Sequence, residues 1–289
     1  MRLENRVLVS GMTILIGVML LLVAGCGDDE TNTPTTITGS MADHEFLAVK
    51  TQMDDFVDST IAFFENGINT FQGISDGEDI IPPQYAVNPE QQDSWDTSYT
   101  NGWHVIQIAY TEKDQFEDGV WQMSLADSIQ YKKNGVAQES WVDHDQLVYK
   151  HHWTWDVFDT TVNHTNFEGN ADFTFADLTT GLATVTGSRD FNASNKIVHL
   201  DSTVWRDFTF TADVNNVTLK NSAFTGWSNC PVGGSVSTTI EMVYTKDDGD
   251  PVTTTWNATF TFNNGTMTAS VSKGNTVWGY HSDMCDVPQ

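Results

Sequence analysis

Between Ser40 and Phe71 the apolar residues return every three or four positions: Phe46, Val49, Met53, Phe56, Val57, Ile61, Phe64, Ile68 and Phe71. That spacing predicts one amphipathic helix. Ser40 followed by Asp43 gives a capping-box-like start with an acid in the first turn. Asn66-Gly67 or Gly73 offers a stop. The polar face of this helix is acidic, whereas helices that lie on membranes carry basic polar faces, so its Phe-rich stripe is expected to pack on a core.

Beyond Gly102 the period changes to two. In VWQMSLADSIQY, Trp121, Met123, Leu125, Ile129 and Tyr131 share one face and Gln122, Ser124, Ser128 and Gln130 the other. In LVYKHHWTWDVF, Leu147, Tyr149, Trp153, Trp155 and Val157 oppose Lys150, His152, Thr154 and Asp156. SVSTTIEMVYT, TTWNATFTFN and TMTASVS alternate in the same way. Period two with a single apolar face marks an antiparallel sheet with one wet side. Asn134-Gly135, Asn264-Gly265, Gly274-Asn275 and KDDGDP at 246–251 separate the runs as short hairpin turns. Pro82, Pro83 and Pro89 mark the stretch from Gly77 to Gly102 as an irregular connection.

About ten strands result from this count. One helix cannot cover the apolar face of so large a sheet. The expected fold is therefore mainly β: a large antiparallel meander curled into a barrel or half-barrel, with one N-terminal amphipathic helix packed on its apolar face.

The 289-residue chain carries 13 basic and 39 acidic side chains, a net charge of −26. Nucleic-acid binding, which depends on neutralising phosphates with Lys and Arg, is excluded on that balance. So is adhesion to anionic lipid through a basic patch. The acidity reads first as solubility, with divalent-cation binding as the sharper alternative.

The N-terminus decides where the protein lives. MRLENR, with Arg2 and Arg6, precedes an uncharged apolar run of nineteen residues from Val7 to Gly25. That run is long enough to span a bilayer, but a basic region followed by an apolar one is the order of an export signal. Its end, VAGC, resembles the lipobox of bacterial lipoproteins, a resemblance confined to residues 1–26. It implies a signal peptide over 1–25, lipid transfer to the Cys26 thiol, and acylation, as with palmitate, of the new amino terminus. Two or three acyl chains hold far more firmly than one, at ~0.8 kcal/mol per buried CH₂. Gly27, rather than Asp, after the cysteine implies delivery to the outer membrane by the same resemblance. Cleavage removes Arg2, Arg6 and Glu4 and takes the net charge from −26 to −27.

Residues 26–39 then read as the lipidated cysteine and a flexible tether, too poor in hydrophobes to order itself and reaching at most about 45 Å. Residues 40–289 read as a single helix-plus-sheet domain. Of the three cysteines, Cys230 and Cys285 remain, an expected disulfide in an oxidising envelope.

Candidate chemistry is sparse. GISDG at 73–77 fits G-x-S-x-G, but a helix precedes Ser75 where a nucleophile elbow needs a strand. His144, His151, His152 and His164 cluster in sequence, yet adjacent His151 and His152 point to opposite faces of a strand, so no metal site is expected there. KDDGDP lacks the spacing and closing Glu of an EF-hand. Two charges break apolar faces: Asp127, and Arg206 beside Val204 and Phe208. Buried charges are costly unless paired, so each is expected either in an internal pair or at a cavity mouth beside a ligand's polar group. Most of the ten Trp residues fall on apolar faces. Trp153, Trp155, Asp127 and Arg206 form the candidate ligand-binding set, with no metal and no cofactor.

The expectation is a non-catalytic, lipid-anchored envelope protein whose curved sheet holds a hydrophobic or lipid ligand. The alternative is a surface adhesion or glycan-binding module, calcium-assisted. Its partners are the membrane, through the lipid, and a hydrophobic small molecule or a surface glycan.

Overall fold

The structure, a computed structural model, describes residues 37–71, 92–113, 120–139, 144–158, 164–199, 202–222, 226–247 and 249–284. The export segment with Cys26, the GISDG motif and Cys285 lie outside the described residues. Helix α1 spans His44–Phe71, passing Asn66-Gly67 without a break. Asp43 caps it: one carboxylate oxygen accepts from the backbone N–H of Glu45 at 3.0 Å and of Phe46 at 3.2 Å. Its apolar stripe is sealed. Phe46, Val49, Met53, Val57, Ile61 and Phe64 are each at most 2% exposed.

Twelve strands follow. They are β1 (Gln92–Thr100), β2 (Trp103–Lys113), β3 (Val120–Lys133), β4 (Val136–Gln138), β5 (Gln146–Phe158) and β6 (His164–Ala176). Then come β7 (Leu182–His199), β8 (Ser202–Ser222), β9 (Gly226–Lys246), β10 (Val252–Asn263), β11 (Thr266–Lys273) and β12 (Thr276–Asp283). They form one antiparallel sheet in chain order, apart from the short β4, which pairs only with the end of β3.

The hairpin turns fall where the Asn-Gly pairs stand. Asn134 and Gly135 have φ of 50° and 78°, and Asn264 and Gly265 have 47° and 83°. Two successive left-handed residues match the twist of the flanking strands, which is why this dipeptide closes hairpins. At KDDGDP, the Asp247 carboxylate accepts from the Thr203 N–H at 2.8 Å, tying the turn to the start of β8.

Two expectations need correction. The stretch from Gly77 to Gly102 is not wholly irregular, because β1 lies inside it and pairs with β2 through the Asn101-Gly102 turn. And the sheet is not closed into a barrel: β1 and β12 are its two ends, with no pairing between them among the described residues. Closure is one way to bury an apolar face, but here α1 covers much of that face instead.

The helix crosses the sheet obliquely. Phe46 stacks on Trp278 of β12 at 5.0 Å, Phe56 meets Phe210 of β8, and Phe63 and Phe64 meet Phe173 of β6. Polar contacts fix the N-terminal half: Lys273 of β11 pairs with Glu45, and the Tyr280 hydroxyl of β12 donates to Asp54. Burial, and then that hydrogen bond, push the Tyr280 phenol up, so it remains a donor. Thr38 and Gly39, at the end of the predicted tether, bond to the Val277 carbonyl at 2.9 and 2.8 Å. The chain is thus held to the β12 edge before α1 begins.

Candidate ligand-binding face

The register of β3 to β8 sets side chains in rows across the helix-facing side of the sheet. One row runs Asp127, His151, Ala171, Arg189, Ala212. The next runs Leu125, Trp153, Gly169, Phe191, Phe210, and the one after it Met123, Trp155, Phe167, Ala193, Phe208. Arg206 lies one row further along β8. All four sequence-predicted residues, Asp127, Trp153, Trp155 and Arg206, therefore share one face.

They do not form one pocket. Asp127 and Arg206 lie four strands apart, about 19 Å at ~4.8 Å per strand, and cannot pair with each other. Asp127, wholly buried, instead accepts from the Tyr149 hydroxyl and from His151 Nδ1, both at 2.6 Å. Those bonds make its burial tolerable. Phe63 of α1 lies 5.4 Å from the Tyr149 ring and 6.3 Å from His151, so the helix roofs this trio.

The two tryptophans belong to an aromatic ledge over β5–β8. Trp153 stacks on Phe191 at 5.5 Å and 18°, and Trp155 on Phe167 at 5.2 Å and 21°. Phe191 joins the two pairs, lying 5.9 Å from Phe167 and 6.0 Å from Phe208. Gly169 makes this possible: a Cβ there would stand 2.4 Å from Trp153 Nε1, so only glycine lets the indole cross β6 to reach β7. Trp153, Trp155, Phe208 and Met242 are half-buried, unlike the sealed stripe of α1.

Arg189 is the residue sequence reasoning missed. It stands between Gly187 and Phe191 on β7, flanked by Ala171 and Ala212 on the adjacent strands. Its guanidinium lies 5.1 Å from the centre of the Phe56 ring. Desolvation lowers its pKa to about 10, which leaves it charged at neutral pH. The available signal was its shared parity with Val185, Phe191 and Ala193.

On the wet face of the same strands, Lys150, His152, Asn170, Asp172 and Asp190 line an open depression of about 310 Å³. His152 Nδ1 lies 2.8 Å from Asn170 Oδ1, Asn170 Nδ2 donates to Asp190 at 2.9 Å, and Lys150 pairs with Asp172 at 2.9 Å. Lys150 also lies 5.8 Å from the Trp103 ring. His151 and His152 therefore serve opposite faces. Among the described residues no group of three or more His, Cys, Asp or Glu could hold a metal ion.

Cys230 on β9 is disulfide-bonded. The Gly265 N–H donates to the Pro231 carbonyl at 2.9 Å, and the Met284 N–H donates to the Gly265 carbonyl at 2.8 Å. The chain therefore reaches the neighbourhood of Cys230 one residue before Cys285.

No family model matches this chain, and neither a curated protein nor a solved structure matches it.

Proposed function

We propose that this is a non-catalytic, lipid-anchored protein of the bacterial envelope that holds a hydrophobic ligand against the aromatic ledge of its sheet. The observation that carries the reading is the ledge itself. Four stacked rings, from Trp153, Phe191, Phe167 and Trp155, form one continuous apolar surface whose outer members keep part of their area in water. Apolar area left partly wetted is area a ligand can cover, at roughly 25 cal/mol per Å². Attachment through Cys26 would hold that surface within a tether's length of the membrane.

Two measurements test the parts separately. A fluorescent fatty-acid probe should bind the delipidated full chain, and Trp153→Ala with Trp155→Ala should weaken that binding by about tenfold or more. An unchanged affinity in the double variant would remove the ledge from the reading. For the anchor, Cys26→Ala should abolish acyl labelling and leave unprocessed precursor; normal labelling and processing would contradict it.

A second reading, a glycan-binding or adhesion module, is favoured by the wet-face depression. Its carboxamide and carboxylate groups suit a sugar's hydroxyls, and Trp103, whose ring lies 5.8 Å from the Lys150 ammonium, would suit its apolar face. Such a module should bind no fatty-acid probe.

A further inference from the structure

Arg189 places a charge on the helix-facing side of the sheet, between Gly187 and Phe191 of β7. A guanidinium on an apolar sheet face is costly unless a carboxylate or a set of acceptors meets it. Among the described residues no carboxylate lies within ion-pair reach of Arg189. Asp127, three strands away across His151 and Ala171, already takes Tyr149 and His151. The neighbours in its row on β6 and β8 are alanines. The Phe56 ring offers a cation–π contact, which offsets only part of the desolvation. Along β7 the next residue on the same face is Phe191, the ring that joins both stacked pairs of the ledge.

We propose that Arg189 seats the anionic head of an amphiphile whose apolar chain lies along Phe191, Trp153, Phe167 and Trp155. This deepens the ligand-holding function proposed above and rests on it. The head is a monoanion, a long-chain carboxylate. Arg presents two parallel N–H donors that match a carboxylate's two oxygens. One half-buried cation neutralises one charge, and a phosphate dianion would bring a surplus negative charge into a protein already at −26. An uncharged amphiphile could offer a single acceptor but would leave the guanidinium's charge unmatched.

The test is calorimetry on the full chain with decanoate, decanol and acetate, in the wild type and in Arg189→Met and Arg189→Lys. The wild type should bind decanoate about tenfold or more tighter than decanol, since a hydrogen bond to a charged group is worth at least that ratio. Arg189→Met should erase the difference while leaving decanol binding within about twofold, and Arg189→Lys should restore part of it. The ligand-free Arg189→Met protein should melt no lower than the wild type, because the half-buried guanidinium makes no ion pair and a Met side chain keeps the packing against Phe56. Equal binding of decanoate and decanol, or a decanoate affinity unmoved by Arg189→Met, would overturn the head-group seat and leave the ligand-holding function standing. Binding of acetate as tight as that of decanoate would overturn the amphiphile. A lower melting temperature for Arg189→Met would make Arg189 a structural residue. If neither decanoate nor decanol binds, the ligand-holding function falls and this inference with it.

Discussion

The rows under α1 and the ledge beside them belong to the same face of the same strands, yet they are built differently. Under the helix, Phe173, Phe175, Val185, Val217 and Phe260 are sealed completely. On the ledge, Trp153, Trp155, Phe208 and Met242 keep part of their surface in water, and the charged Arg189 and Arg206 flank them. One apolar face thus holds both a sealed core and a part-wetted aromatic ledge.

The largest expected effect falls on the sealed side. Phe64 is fully buried against Phe173 and Phe175, so Phe64→Ala should cost about 3–5 kcal/mol in urea unfolding. Trp155→Ala, at a half-buried ring, should cost clearly less, about 1–2 kcal/mol, and act mainly on ligand binding. Equal losses at the two sites would erase the distinction between core and ledge.

The second effect concerns the far edge of the covered side. A disulfide between Cys230 and Cys285 would close a long loop, and Cys285→Ser should cost about 2–4 kcal/mol. It should leave probe binding at the ledge unchanged, because β5–β8 carry the rings, whereas this disulfide would lie at β9. Peptide mapping under non-reducing conditions should find the pair linked. Two freely alkylated thiols would contradict the pairing.

Much of this fold was legible because its periodicities are clean. The stripe from Phe46 to Phe64 announced the helix, and the alternation in β3, β5 and β10 announced the wet and dry faces. Three features escaped for physical reasons. The strand β1 follows a proline-rich stretch, and QDSWDTSYT alternates polar residues with only Trp95 and Tyr99 as apolar markers. The three residues of β4 are too few to show any period. In β7 the helix-facing positions are Ala183, Val185, Gly187, Arg189, Phe191, Ala193 and Asn195, and a bulge between Val185 and Gly187 interrupts the pairing. Small and charged residues at inward positions hide the period, and Arg189 was hidden with it. The open sheet escaped for another reason: strand count argues for closure, but only the packing shows that a helix has taken over part of that task.

The site was legible one residue at a time. Trp153, Trp155 and Asp127 stood out as aromatics on an apolar face or as a charge that broke one. That Asp127 is answered locally by Tyr149 and His151, and that no described carboxylate pairs with Arg189, depends on register between strands far apart in sequence.

Native mass spectrometry of the full chain, purified gently from cells that express it, tests most directly whether the ledge holds a ligand. A population heavier than the chain by one bound amphiphile is expected, released on denaturation and absent from the Trp153→Ala, Trp155→Ala double variant. A wild-type chain that carries no such adduct, or an adduct that survives in the double variant, would contradict it.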